Sequence, residues 1–342
     1  MVRLLIADDS KVVRDYLAYS LARDPDLQVV GSARDGEEAL ILSARLRPDV
    51  ILMDVHMPRM NGYEASRRIM TEVPTPIVIM SATQLPGETS LAIEALNAGA
   101  LTVAEKLPAM DHPDFERSVR HLALTIKLMA EVKVVKRWGS PKEVRLPRPA
   151  PVRSHRPIKI IAIGTSTGGP AILAQIFKEL GVGCPVPILV TQHISRGFTQ
   201  GLVSWLIDHT KLPISLPRMG QIAEPGSVYF APEEMHMGIS KYGRIVLSRE
   251  RAEDGFCPSV SYLFRSVAES YGAMAMGIVL TGMGRDGVSG LKQLHDAGGV
   301  TIAQDESSSV IFGMPGEAIR AGAAQYVLSP NNIVAMIRGV AP

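Results

Sequence analysis

Twice along its length this chain alternates short runs of branched apolar residues with longer amphipathic segments, and that alternation constrains the fold more than any other feature. In the first 130 residues the runs are LLIA, LQVVGSA, VILMDV, PIVIMSA and LTVAEK, separated by segments such as VVRDYLAYSLARD and GEEALILSARLR. Strands that alternate with helices lie parallel in a sheet covered on both faces. Asp35, directly before GEEA, is placed to cap a helix, and FERSVRHLALTIKLMAEV closes the pattern as a fifth helix. From about Lys133 to Pro157 the chain turns basic, proline-rich and poor in acids, which reads as a semi-extended, solvated tether. The alternation then resumes, with IKIIAIG, PVPILVTQH, SVYFAPE, AMGIVLTGMG, VTIAQD and AQYVL as strands. AILAQIFKELG, TQGLVSWLIDH, VSYLFRSVAESYG and GVSGLKQLHDAG read as helices, and MGISKYGRIVLSRE as an antiparallel hairpin turning at Tyr242 and Gly243.

The expected architecture is therefore α/β in two doubly wound domains. A five-stranded parallel domain spans 1–130, a basic linker 131–157, and a mostly parallel sheet with an antiparallel hairpin 158–342. A length of 342 residues suits two domains, and 46% hydrophobic with 20% charged residues is ordinary for a globular chain. No apolar run is long enough to span a bilayer, and MVRLLIADDS puts acids where a signal peptide needs apolar residues, so a cytoplasmic location is expected. Cys184 and Cys257 lie apart from histidine clusters and read as small buried residues, not as a disulfide or a zinc site. A net charge of +2 says nothing strong about nucleic acid, but the sequence shows no nucleic-acid-binding motif, and a second half without a helix-turn-helix pattern or a basic recognition helix argues against a transcriptional output.

In a parallel α/β sheet, ligands collect at the carboxyl ends of strands near the point where strand order reverses. Asp8 and Asp9 end the first strand, Asp54 the third, Ser81 the fourth and Lys106 the fifth. Three converging carboxylates repel one another unless a cation sits among them, and hard oxygen ligands suit Mg²⁺. Any one of these acids alone would read as a helix cap or a solvated loop residue; typed correctly at the ends of four strands, together they read as a phosphoryl site. With LLIADDSKVVR, ILMDVHMPRMNGYEA and the late lysine in place, residues 1–130 resemble the response-regulator receiver domain. The resemblance implies phosphorylation of Asp54 by a chemotaxis-type histidine kinase. It also implies Mg²⁺ on Asp8, Asp9, Asp54 and the His56 carbonyl, with Ser81 and Lys106 on the phosphoryl oxygens. Two positions depart from the receiver pattern. Val103 stands where receivers usually carry an aromatic switch residue, and Lys106 is followed by Leu107 before Pro108. Both bear on how phosphorylation is relayed, not on the phosphoryl chemistry.

The stretch IAIGTSTGGP contains G-x-S-x-G between a strand and a helix, with Ser166 in the turn. Alone the motif is weak, since glycine-rich turns also bind phosphate or simply reverse the chain; GTSTGG lacks both the dinucleotide spacing and the P-loop lysine. A serine nucleophile needs a base, and the base an orienting acid. VTQH puts His193 at the end of the next strand and LTGMGRDG puts Asp286 beyond a later one, all on one edge of one sheet. His236, in MHMG, is the rival histidine; His209 and His295 fall in helical patterns, and His112, His121 and His155 lie outside this domain. Asp286 could also cap the helix GVSGLKQLH. The order Ser, His, Asp differs from that of the α/β-hydrolases, which leaves the chemistry intact because triads are defined by geometry.

IGTSTGGP, TQHISRGFTQGL, VYFAPEEMHM and VLTGMGRDGVSGL together make residues 158–342 resemble the chemotaxis-type protein-glutamate methylesterase, and the whole chain matches that family's receiver–linker–catalytic order. The resemblance implies Ser166 as nucleophile, His193 as general base and acid, and Asp286 as orienting carboxylate, with no cofactor in this domain. The backbone amides around Thr165, Thr167 and Met283 are the candidate oxyanion hole. The implied substrates are γ-methyl glutamate esters on the cytoplasmic helices of methylated chemoreceptors, the only membrane contact expected, with deamidation of receptor glutamines as a second activity. The resemblance further implies that the unphosphorylated receiver inhibits the esterase. The competing reading is a binding-only output module in which the triad residues do no chemistry.

Overall fold

The apolar runs of the N-terminal half become strands and the intervening segments helices in the computed structural model of the chain. It describes residues 1–81, 86–132, 134, 157–181, 184–253 and 255–339; most of the expected linker, 131–157, lies outside the described residues. The N-terminal elements are β1 (Val2–Ala7), α1 (Lys11–Leu21), β2 (Leu27–Ala33), α2 (Gly36–Leu46), β3 (Val50–Asp54), α3 (Gly62–Glu72), β4 (Ile77–Ser81), α4 (Pro86–Ala98), β5 (Thr102–Glu105) and α5 (Phe115–Ala130). The strands pair in the order β2-β1-β3-β4-β5, every pair parallel. β3 and β4 are buried at every residue, as strands covered by helices on both faces must be. Asp35 caps α2 as expected, accepting from the Glu38 amide at 2.9 Å, while Glu38 reaches back to the Arg34 amide. The buried Asp35 carboxylate is also paired with Arg59.

The C-terminal elements are β6 (Ile160–Thr165), α6 (Gly169–Leu180), β7 (Ile188–Gln192), α7 (Thr199–Thr210), β8 (Ile214–Ser215), β9 (Val228–Phe230), β10 (His236–Ile239), β11 (Ile245–Ser248), α8 (Val260–Tyr271), β12 (Ala275–Val279), α9 (Val288–Asp296), β13 (Val300–Gln304), α10 (Met314–Arg320), β14 (Tyr326–Leu328) and α11 (Pro330–Gly339). Seven strands run in the order β14-β13-β12-β6-β7-β9-β8, all neighbours parallel. The hairpin β10–β11 is a separate two-stranded sheet with Gly243 at φ +73° in its turn, so the large sheet is not mixed. β8, α10 and α11 were not expected. β8 is two residues long, too short for periodicity to show, whereas the Ser329-Pro330 pair that opens α11 is a legible helix start.

The central contact of this domain is α8 against β6 and α9. Leu263, Phe264 and Val267 of α8 are fully buried in one apolar cluster with Val279, Leu291 and Leu294. Burying each such side chain contributes roughly 1.5–3 kcal/mol. Gly164, near the end of β6, permits this approach, because a Cβ there would lie 2.0 Å from Val260 Cγ1. The first glycine of GTSTG therefore brings the N-terminus of α8 to the same sheet edge as Ser166. Among the described residues no helix is long and apolar enough to cross a membrane.

Candidate active site

In the N-terminal domain strand order reverses between β1 and β3, and the chemistry-bearing side chains gather there. Carboxylate oxygens of Asp8, Asp9 and Asp54 lie within 4.8 Å of one another. Asp8 is 2% exposed; its Oδ1 accepts from the Ser10 amide at 2.9 Å, while Oδ2 is buried without a partner. Burial foremost, and then the negative charge of Asp54, push its pKa up to about 6. Lys106 Nζ sits 2.8 Å from Asp54 Oδ1, and Ser81 is fully buried at the end of β4. A partnerless buried carboxylate oxygen among like charges is what a divalent cation would satisfy, so the donor set fits Mg²⁺. His56 is exposed, two residues beyond Asp54. Val103 is a buried β5 residue, 2% exposed.

In the C-terminal domain the reversal falls between β6 and β12. Ser166 follows β6, His193 follows β7 and the 281–287 loop follows β12, so all three lie on neighbouring strand ends. The Ser166 amide donates to Thr281 O at 3.0 Å, and the His193 amide to Thr165 O at 2.9 Å, which fixes both turns to the sheet. The left-handed position of the GTSTG turn is Gly168, at φ +80°, and not the serine. A side chain at 168 would also strike Val310. Ser166 is thus presented, half-exposed, just ahead of the N-terminus of α6, whose first-turn amides favour negative charge.

Asp286 is 1% exposed, and its two oxygens are fully used. Oδ1 accepts from Ser259 Oγ at 2.9 Å and the Ser261 amide at 3.0 Å; Oδ2 accepts from the Val260 amide at 2.7 Å and lies 2.9 Å from His193 Nε2. The carboxylate therefore caps α8, a different helix from the α9 it precedes; α9 is capped by Gly287 without a side-chain bond. Burial works against its ionised form, but the His193 hydrogen bond and charge and the α8 amides outweigh it and hold the carboxyl below the usual range. A carboxylate only accepts, so a His193 that donates to Asp286 does so from Nε2 and keeps its lone pair on Nδ1. Nδ1 is buried and makes no hydrogen bond, with Ser166 or any other described residue. Nucleophile and base are often disengaged until substrate binds. The Phe256 ring covers the imidazole, stacked at 4.2 Å between centroids and 4° between planes.

His236, the rival histidine, is occupied elsewhere. It is fully buried on β10, its Nδ1 accepting from the Ser259 amide and its Nε2 facing Arg251 O, each at 3.2 Å, with its ring on Tyr262. Of the oxyanion candidates, Thr165 is fully buried, with Oγ1 donating to Thr281 O, whereas Thr167 and Met283 are half-exposed. The Thr167 and Met283 amides donate to no acceptor among the described residues. Gly282, next to Met283, packs so closely that a Cβ there would lie 2.7 Å from Ser166 Cβ. Sequence reasoning missed Gln192, Phe256 and Ser259. Gln192 precedes His193 at a strand end and Ser259 precedes an amphipathic helix, both legible signals; Phe256 has none.

Fold and sites together define a response regulator, an N-terminal receiver followed by an α/β output domain. The model for the response regulator receiver domain matches residues 4–112, and that for the CheB methylesterase matches 161–337. The chain belongs to the CheB methylesterase family. It is 46% identical to a protein-glutamate methylesterase/protein-glutamine glutaminase of Syntrophus aciditrophicus over 98% of this chain and 97% of that one. It is likewise 46% identical to one of Myxococcus xanthus over 96% and 94% of the two chains. The crystal structure of the Thermotoga maritima CheB methylesterase catalytic domain superposes with a TM-score of 0.51 at 35% identity, covering 54% of this chain and 97% of that one.

Proposed function

We propose that this protein hydrolyses γ-methyl glutamate esters on the cytoplasmic helices of methyl-accepting chemoreceptors, in chemosensory adaptation, under control of phosphorylation at Asp54. The observation that carries the reading is the 2.9 Å contact of His193 Nε2 with a buried Asp286 that three other donors hold in place, which would leave Nδ1 to act as a base at the strand end next to that of Ser166. Ser166 Oγ attacks the ester carbonyl as Nδ1 takes its proton, and Asp286 stabilises the imidazolium that forms. The free amides of Thr167 and Met283 receive the developing oxyanion. Methanol departs with the proton from Nδ1, and water, deprotonated by the same nitrogen, releases glutamate from Ser166. With a glutamine side chain the same steps expel ammonia, which accounts for the deamidase half of the relatives' names.

The acceptor in the receiver is Asp54, with a chemotaxis-type histidine kinase as donor. Asp8, Asp9 and Asp54 would hold Mg²⁺, with the His56 carbonyl as a further ligand; the ion would shield the carboxylates' charge during phosphoryl transfer. Lys106, already 2.8 Å from Asp54, holds a positive charge against the acceptor, and Ser81 offers a hydroxyl. The domain limits that go with this reading are 1–130 for the receiver, 131–157 for the linker and 158–342 for the esterase, in a cytoplasmic protein that needs no cofactor in its catalytic half. The test is methanol release from methylated receptor membranes by wild type and Ser166→Ala, with and without acetyl phosphate and Mg²⁺. Release by wild type only, rising with phosphodonor, is the expected result. No release in any condition would instead favour a binding module.

A further inference from the structure

We infer that Gln192 is a positioning residue for the esterase: its side-chain amide sets the direction of the Thr167 N–H and ties the nucleophile turn to the base. The inference rests on the triad reading above and extends it to a residue outside the triad.

Gln192 is the last residue of β7 and is 5% exposed. Its Nε2 donates to two carbonyls at once, Ser166 O and His193 O, each at 2.8 Å. Both partners can only accept, so the nitrogen and oxygen of this amide are assigned without ambiguity. One side chain thus bridges the backbone of the proposed nucleophile and that of the proposed base. The bond to Ser166 O matters beyond the link. A trans peptide is planar, with its N–H opposed to its C=O, so holding Ser166 O holds the rotation of the whole 166–167 peptide. The Thr167 N–H must then project away from Gln192. It is one of the two free amides at the site, and the Gly169 amide reinforces it by donating to the same Ser166 O at 2.9 Å.

The fold makes room for this side chain. A Cβ on Gly169 would lie 2.2 Å from Gln192 Oε1, so the second glycine of STGG is the cradle for the glutamine. Oε1 itself is buried without a partner. An apolar residue of the same shape would carry no such unpaired oxygen, so packing alone does not call for an amide here; two directed donors do.

The experiment uses the full chain carrying Gln192→Met, which keeps the shape and removes both donors, and Gln192→Glu, which keeps the shape and replaces them with an acceptor. Three quantities are read: kcat and KM for methanol release, thermal midpoint, and the amide ¹⁵N–¹H resonance of Thr167. A misaimed oxyanion donor acts on the transition state and not on ester binding. The expected result is a kcat reduced about 10–100-fold with KM within twofold, a folded protein, and a displaced Thr167 resonance in both variants. An unmoved Thr167 resonance, or an unchanged kcat, overturns the inference. So does a loss in which KM rises and the thermal midpoint collapses together, since that marks a merely structural residue. Ser166→Ala in parallel keeps the two readings apart. If that variant stays active, the triad reading fails, while the Thr167 resonance still reports on Gln192.

Discussion

Replacing Asp286 by asparagine separates the two jobs this carboxylate does. The carboxylate accepts from Ser259 Oγ and from the amides of Ser261 and Val260, and it lies 2.9 Å from His193 Nε2. Asparagine has a single acceptor oxygen. Whichever way it turns, one α8 amide, of Val260 or of Ser261, faces its NH₂ group and is orphaned, at a cost of about 1–3 kcal/mol. At about 2–4 °C per kcal/mol for a domain of this size, the thermal midpoint should fall by roughly 2–12 °C. Against a folding stability of about 5–15 kcal/mol, the variant remains essentially folded at 25 °C. The rate loss has another origin. In the proposed mechanism the charge that stabilises the imidazolium is gone, and with NH₂ toward His193 the ring must also protonate Nδ1, the nitrogen proposed as base. In serine proteases the matching change costs about 10⁴ in kcat, about 5.4 kcal/mol of barrier. Initial rates of methanol release, with circular dichroism confirming the fold, measure both effects. A folded Asp286→Asn protein within tenfold of wild-type turnover would refute the tautomer argument and leave Asp286 as a cap for α8 alone.

Other consequences can be checked in the same preparations. Ser166→Ala should lose turnover to background with its thermal midpoint unchanged, because the hydroxyl is half-exposed and supports no packing. Phe256→Leu removes the ring stacked 4.2 Å from His193; at about 0.5–1.5 kcal/mol for such a contact, kcat/KM should drop roughly two- to tenfold, and no drop would make Phe256 a bystander. Asp54→Asn should take up no phosphoryl group from acetyl phosphate on a phosphate-affinity gel, and EDTA should block uptake by wild type. Labelling that persists in Asp54→Asn would move the acceptor elsewhere. Because the folded-state pKa of Asp286 is depressed, the stability it confers is present above its unfolded value of about 3.9 and is lost as pH falls below that value and through the lower folded one. The thermal-midpoint gap between wild type and Asp286→Asn should therefore narrow as pH is lowered below about 4, whereas a constant gap would mean that the charge does not matter to the fold.

Local pattern alone determined much of this protein. Runs such as VILMD and IIAIGT are mainly apolar and buried at every position because both faces of a parallel sheet are covered, and the segments between them are amphipathic because helices do the covering. From that alternation follow the two parallel sheets, and from the sheets the rule that places Asp8, Asp54, Ser166 and His193 at productive strand ends. What tertiary structure decided are partnerships between residues far apart in sequence. Asp286 meets Ser259 across 27 positions and Gln192 meets Ser166 across 26, contacts that no period of two or 3.6 encodes. The same packing selected which nitrogen of His193 faces the acid, turned Asp286 toward α8 and away from α9, and occupied both nitrogens of the rival His236. The physical reason is that hydrogen-bond direction depends on where a helix end arrives against the sheet. Gly164 sets that arrival through a van der Waals contact with Val260, a residue 96 positions away that only the folded chain brings alongside it.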